Sequence, residues 1–159
     1  MRIYTVSYSK KPIHKRRRTK RYVFPTTKLV GQAIERNMKD VWSWLLSGEV
    51  SCIGIYGMRG VGKTTLAAHI HNQLQDKPDI SFHVCWIAMS QEFSIYALQD
   101  LIAEAFGLCL PKGKDVMSRA GELRTALSAI QNHVIILDDL WDDFHPEKVG
   151  ISRRTNVKI

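Results

Sequence analysis

The stretch GMRGVGKTT at 57–65 limits what this chain can fold into more than any other part of it. It fits the phosphate-loop pattern of Gly, any four residues, Gly, Lys, then Ser or Thr. The apolar run SCIGIY at 51–56 precedes it, and a helical pattern from about Gly62 to Gln75 follows. A buried strand feeding a glycine-rich turn that opens a helix is the context in which the pattern has chemical meaning. Gly57, Gly60 and Gly62 let the backbone curl, so that successive amide groups, that of Val61 among them, face inward toward phosphate oxygens. The helix start adds its partial positive charge. Lys63 is placed to reach the β- and γ-phosphates, the Thr64 hydroxyl to ligate Mg²⁺, and Thr65 to add an α-phosphate contact.

A second segment supports this reading. In VIILDDLW at 134–141, four consecutive branched apolar residues lead into Asp138 and Asp139. Such a run reads as a strand buried on both faces. Parallel sheets bind ligands outside the carboxyl ends of their strands. Asp138 is therefore the candidate for holding Mg²⁺, and Asp139 for polarising an attacking water. Asp142 and Asp143 lie beyond the strand and read as solvated loop acids.

The rest of the chain alternates in the same way. Apolar positions from Gln32 to Leu46 recur at three-and-four spacing, as on an amphipathic helix. SFHVCWIA at 81–88 reads as a strand, and SIYALQDLIAEAFGL as a helix capped by Ser94. Residues 115–130 form a further helix, Pro146 and Gly150 mark a loop, and VKI at 157–159 opens one more strand. The order of elements predicts an α/β fold, a P-loop NTPase-type parallel sheet flanked by helices and incomplete at its C-terminus.

Net charge is +8, but residues 1–28 hold ten Lys and Arg and no acid, leaving thirteen basic against fifteen acidic residues in the remainder. The body is thus near neutral and by composition offers no basic face for nucleic acid, so the high net charge points to such a partner only through the tail. Residues 1–27 read as a basic, mostly disordered tail in which RIYTV is at best a weak strand. KKPIHKRRRTKR is either a nuclear-import or nucleic-acid patch or a plain solvated segment. Cys52, Cys85 and Cys109 sit in apolar surroundings without CxxC spacing, which predicts buried reduced thiols. His69 and His71 are two apart on a helix and face different ways, against metal ligation. Trp42, Trp44 and Trp86 read as packing residues. No apolar run approaches the ~18 residues of a membrane span, and no signal-peptide pattern opens the chain. The expectation is a cytoplasmic protein, with nuclear import through the tail as a second destination.

From Lys28 to Ile159 the residues resemble the nucleotide-binding (NB-ARC) domain of plant disease-resistance proteins of the coiled-coil class. Four motifs stand in order: LVG at 29–31, GMRGVGKTT, FHVCWIAMSQEFSIYALQDLIAEAFGL at 82–108, and VIILDDLW with its final Trp141. The resemblance implies Val30 near the adenine, ADP and ATP with Mg²⁺ as cofactors, and a switch that is closed with ADP and oligomeric with ATP. It also implies self-association or receptor partners and a role in plant defence. Two departures accompany it. Arg59 stands where the family usually has Gly, which would strain the loop if that residue needs a positive φ. The family's next strand, closed by Thr-Thr-Arg, would lie between the phosphate-loop strand and the Asp138 strand, so VKI is expected to begin a central strand. These departures lead to an expectation of nucleotide binding with weak or no hydrolysis. The alternative is a non-hydrolysing interaction fragment or decoy of full-length receptors, or a pseudogene product.

Overall fold

The computed structural model describes residues 2–6, 22–47, 52–77, 82–89, 94–130, 132–139, 145–151 and 156–158. In chain order these form β1 (Arg2–Val6), α1 (Gln32–Ser47), β2 (Cys52–Gly54), α2 (Lys63–Asp76) and β3 (His83–Ala88). There follow α3 (Ile95–Ala105), α4 (Val116–Ser128), β4 (His133–Asp138), α5 (Pro146–Val149) and β5 (Asn156–Lys158). The strands make one sheet in the order β3-β4-β1-β2-β5. β3 runs parallel to β4 and β2 parallel to β5, while β1 is antiparallel to both of its neighbours. Four strands therefore share one direction, as the α/β reading requires.

Alternation along the strands sends side chains to two layers. Cys52, Cys85, Ile87, Ile135 and Leu137 pack with α3, α4 and α5. Ile53, Ile55, Val134 and Ile136 pack with α1 and α2 on the other face. All six residues of β4 are buried, which explains the unbroken apolar run of its four central residues. Helix starts follow local chemistry. The Ser94 side chain caps α3 by accepting from the Ala97 amide, and Asp115 caps α4 by accepting from the amides of Met117 and Ser118 at 2.9 and 3.0 Å. Hydrogen bonds from Ser118, first its hydroxyl and then its amide, hold the Asp115 carboxyl below its ordinary range.

Four expectations change. RIYTV is a full strand in the middle of the sheet, because its Arg2 to Val6 backbone finds a ladder on β4 and its first three residues another on β2. Residues 7–21 of the basic tail lie outside the described residues. β5 does not take the central position; it pairs on the far side of β2, since β1 already fills the space between β2 and β4. Residues 146–149, read as loop, are a short helix that uses Pro146 at its first turn and Gly150 in the left-handed region as its stop. Cys109 is exposed, while Cys52 and Cys85 are buried; burial pushes the Cys85 thiol up to about 12 and leaves it unreactive. Among the described residues no helix is long and apolar enough to cross a membrane, and no group of three ligating side chains could hold a metal.

His133 opens β4 beside His83, its register partner on β3. Its Nδ1 donates to the Ile130 carbonyl at 2.9 Å, while Nε2 is buried with no partner among the described residues. Burial, reinforced by the nearby His83, lowers the His133 pKa; burial also lowers that of His71. For a base held below its unfolded value of about 6.5, the unfolded chain takes the proton first. This contribution to stability is complete above that pH and is lost as pH falls below it. The thermal midpoint is therefore expected to drop between pH 7.5 and 5.5, and to drop less in His133→Gln. Scanning calorimetry across that range checks the slope, and an identical slope in the variant would remove His133 as its source.

Candidate functional site at the carboxyl edge of the sheet

β2 ends at Gly54, and the chain turns through residues 55–62 before α2 begins at Lys63. Gly57, Gly60 and Gly62 have φ of 151°, 83° and 89°, conformations that L side chains rarely adopt. A Cβ on Gly57 would lie 3.1 Å from Val61 Cγ2, so Val61 closes the loop against its own start. Gly62 is the α2 N-cap, in the left-handed region and without a side-chain cap. The first helical bond runs from the Leu66 amide to the Gly62 carbonyl at 2.9 Å. Helix geometry leaves the amides before Leu66, those of Thr64 and Thr65 included, without intrahelical acceptors, as an anion site needs.

Arg59 does not strain this turn. Among the described residues only Asn132 and Asp139, at 51° and 53°, combine a side chain with positive φ. The loop therefore takes its left-handed positions from glycine alone, and the Gly usual at position 59 is dispensable to its shape.

Lys63 folds back over the loop, its Nζ donating to the carbonyls of Gly57 at 2.9 Å and Met58 at 2.8 Å. The ammonium is thereby held at the loop's mouth. Across the sheet edge, the Thr64 hydroxyl donates to Asp138 Oδ1 at 3.3 Å. That contact joins positions 74 residues apart in sequence. Asp138 is buried at the end of β4, whereas Asp139 turns into the left-handed region with its side chain exposed. Hydroxyl and carboxylate oxygens in one place are the hard donors that suit Mg²⁺.

The segment before α1 runs along α2. Phe24 and Asn72 exchange hydrogen bonds, backbone amide to Oδ1 at 3.0 Å and Nδ2 to the Phe24 carbonyl at 2.9 Å. One helical turn nearer the phosphate loop, His69 Nε2 donates to the Thr27 carbonyl at 2.8 Å. The strap thus advances toward the start of α2, and Val30 beyond it is 77% exposed. Leu29 packs into the α1–α2 layer behind it. Trp141 lies outside the described residues, as does Ser90 of the third motif.

The ordered loop, strap and edge acid agree with sequence comparison. Residues 34–158 match the NB-ARC domain family. The chain belongs to that family. It is 36% identical over 84% of its length to the Probable disease resistance protein At1g61190 of Arabidopsis thaliana, covering 14% of that protein. It is likewise 36% identical to Disease resistance protein UNI of the same plant, covering 15%, and 32% identical over 85% of the chain to Probable disease resistance protein At5g63020. This NB-ARC chain therefore spans about one seventh of the relatives it matches, and no solved structure matches it.

Two features of the NB-ARC chain escaped sequence reasoning. The Phe24–Asn72 exchange lay hidden because Asn72 is one polar residue among several on α2. The buried pair of Gln99 and Arg119 in the opposite layer looks, by composition, like helix surface. Only the LQ-x-x-I part of the third motif touched on Gln99.

Proposed function

We propose that residues 28–159 form the N-terminal part of an ADP/ATP-binding switch module of a plant intracellular immune receptor. The observation that supports it most directly is the 3.3 Å approach of Thr64 Oγ1 to Asp138 Oδ1 beside a lysine held over glycine-loop carbonyls. In this reading Gly57, Gly60, Val61, Gly62, Lys63, Thr64 and Thr65 cradle the phosphates, and Val30 lies on the base side. Thr64 and Asp138 would hold Mg²⁺, whose charge would offset that of the phosphates. Asp139 would orient the attacking water. Its exposure leaves that water in exchange with bulk solvent, which supports binding with little turnover. Association with other NB-ARC chains or receptor partners, and residence in the cytoplasm with the basic tail directing some chains to the nucleus, belong to the same proposal.

Calorimetric titration of the full chain with ADP tests it. Binding is expected with Mg²⁺ and is expected to weaken on chelation. Thr64→Val should weaken binding about tenfold in Mg²⁺ and leave the chelated affinity unchanged. No heat at millimolar ADP, with or without Mg²⁺, would overturn the proposal.

A further inference from the structure

β1 occupies an unusual place. An antiparallel strand in an otherwise parallel sheet ordinarily sits at the edge, yet Arg2–Val6 lies between β4 and β2. Ile3 is in register with Ile136 on one side and Ile53 on the other, and Tyr4 with Ile135 and Cys52. β2 and β4 are not hydrogen-bonded to each other. Among the described residues β1 is the strand whose backbone joins the sheet's two halves, β3-β4 on one side and β2-β5 on the other.

Each half carries one side of the nucleotide site. β2 leads into the phosphate loop and Lys63, and β4 ends in Asp138. Thr64 and Asp138 approach each other across the gap that β1 spans. Removing β1 would expose two facing strand edges with unpaired amides and carbonyls. A gap of that kind receives an extended peptide by strand addition, in which the main chain supplies affinity and alternate side chains supply register.

We propose that residues 2–6 are the assembling strand of the nucleotide site: a segment whose insertion between β2 and β4 registers the phosphate loop against Asp138 and thereby sets nucleotide affinity. This deepens the nucleotide-binding reading and rests on it for the affinity, though not for the insertion. The segment acts by positioning the two strands that carry the site.

The test uses the full chain with a protease site placed within residues 12–18. After cleavage, the N-terminal fragment is expected to co-elute with the body in native size exclusion and to separate only in denaturant. The β2 and β4 amides should keep the exchange protection of the uncut chain. The body stripped of its fragment should lose that protection and bind ADP at least about tenfold more weakly. A synthetic peptide of residues 1–8 should restore both, and the same peptide carrying Ile3→Pro should restore neither, since proline removes a ladder donor. Release of the fragment under native conditions with β2 and β4 protection unchanged would overturn the proposal. So would a stripped body that neither regains protection with the peptide nor discriminates against the proline variant. If the uncut chain binds no ADP, the nucleotide reading fails alone, because fragment retention and amide protection still decide the strand's role.

Discussion

Lys63→Ala is expected to weaken ADP binding by roughly a thousandfold while moving the thermal midpoint of the nucleotide-free protein by only a few degrees. The lysine ammonium stands over the Gly57 and Met58 carbonyls at 2.9 and 2.8 Å. It is the cation in the loop's mouth, where the glycine backbone otherwise offers only amide dipoles. Exchanging those carbonyls for phosphate oxygens gives charge-assisted hydrogen bonds of about 1.5–3 kcal/mol each. Two of them amount to about 3–6 kcal/mol, which corresponds to roughly two to four decades of affinity. The apo protein loses far less, because the site is exposed and water can serve both carbonyls. Lys63→Arg should fall between, since the planar guanidinium keeps the charge but does not fit a turn shaped for a compact ammonium. Titration and calorimetry on the same preparations separate the two effects. Equal affinity in wild type and Lys63→Ala would remove the loop from the binding site.

How much of this was legible in the sequence follows from the range of each signal. The phosphate loop is local: glycine spacing, the Lys and the following helix pattern lie within a few residues, and all are where the reading placed them. β4 is also local, because burial on both faces writes itself as an unbroken apolar run. RIYTV was different. Its alternation is a true strand signal, but nothing within five residues says which edges it will meet. The neighbouring KKPIHKRRRTKR argued against burial because charge repels burial wherever it sits, and the register pairs of Ile3 lie 50 and more than 130 residues away. The same long range hid the central position of β1 and so displaced VKI to the sheet's far side. Cys109 misled for the opposite reason, since apolar neighbours in a turn do not guarantee apolar surroundings in space.

The polar pair in the α3–α4–α5 layer leads to the largest expected loss of stability. Gln99 has no exposed surface, and Arg119 is 4% exposed. Gln99 Nε2 donates to the carbonyls of Val116 and Lys148, each at 3.0 Å, which pins the start of α4 and the end of α5 to α3. Its Oε1 accepts from Arg119 Nε at 3.0 Å, while Arg119 also donates to the Pro111 carbonyl and to Asp100. One buried amide thus satisfies a carbonyl on each of two helices and a buried guanidinium. Gln99→Leu strands the Lys148 carbonyl and leaves a buried cation short of an acceptor. Each buried unsatisfied group costs about 1–3 kcal/mol, and a lost hydrogen bond to a charged group about 1.5–3. Because Asp100 and Pro111 still hold the other guanidinium nitrogens, a total near 4 kcal/mol is expected, or roughly 10 °C in the midpoint for a domain of this size. Arg119→Leu added to Gln99→Leu should recover part of the loss, since the unsatisfied Nε–H goes with it. Denaturant unfolding of both single variants and the double variant measures that coupling. A Gln99→Leu protein within about 1 kcal/mol of wild type would show that solvent reaches these groups and that the network does not clamp the helices. Lys63 and α2 lie on the other face of the sheet. A Gln99→Leu protein kept well below its lowered midpoint should therefore bind ADP as the wild type does, which separates the two layers experimentally.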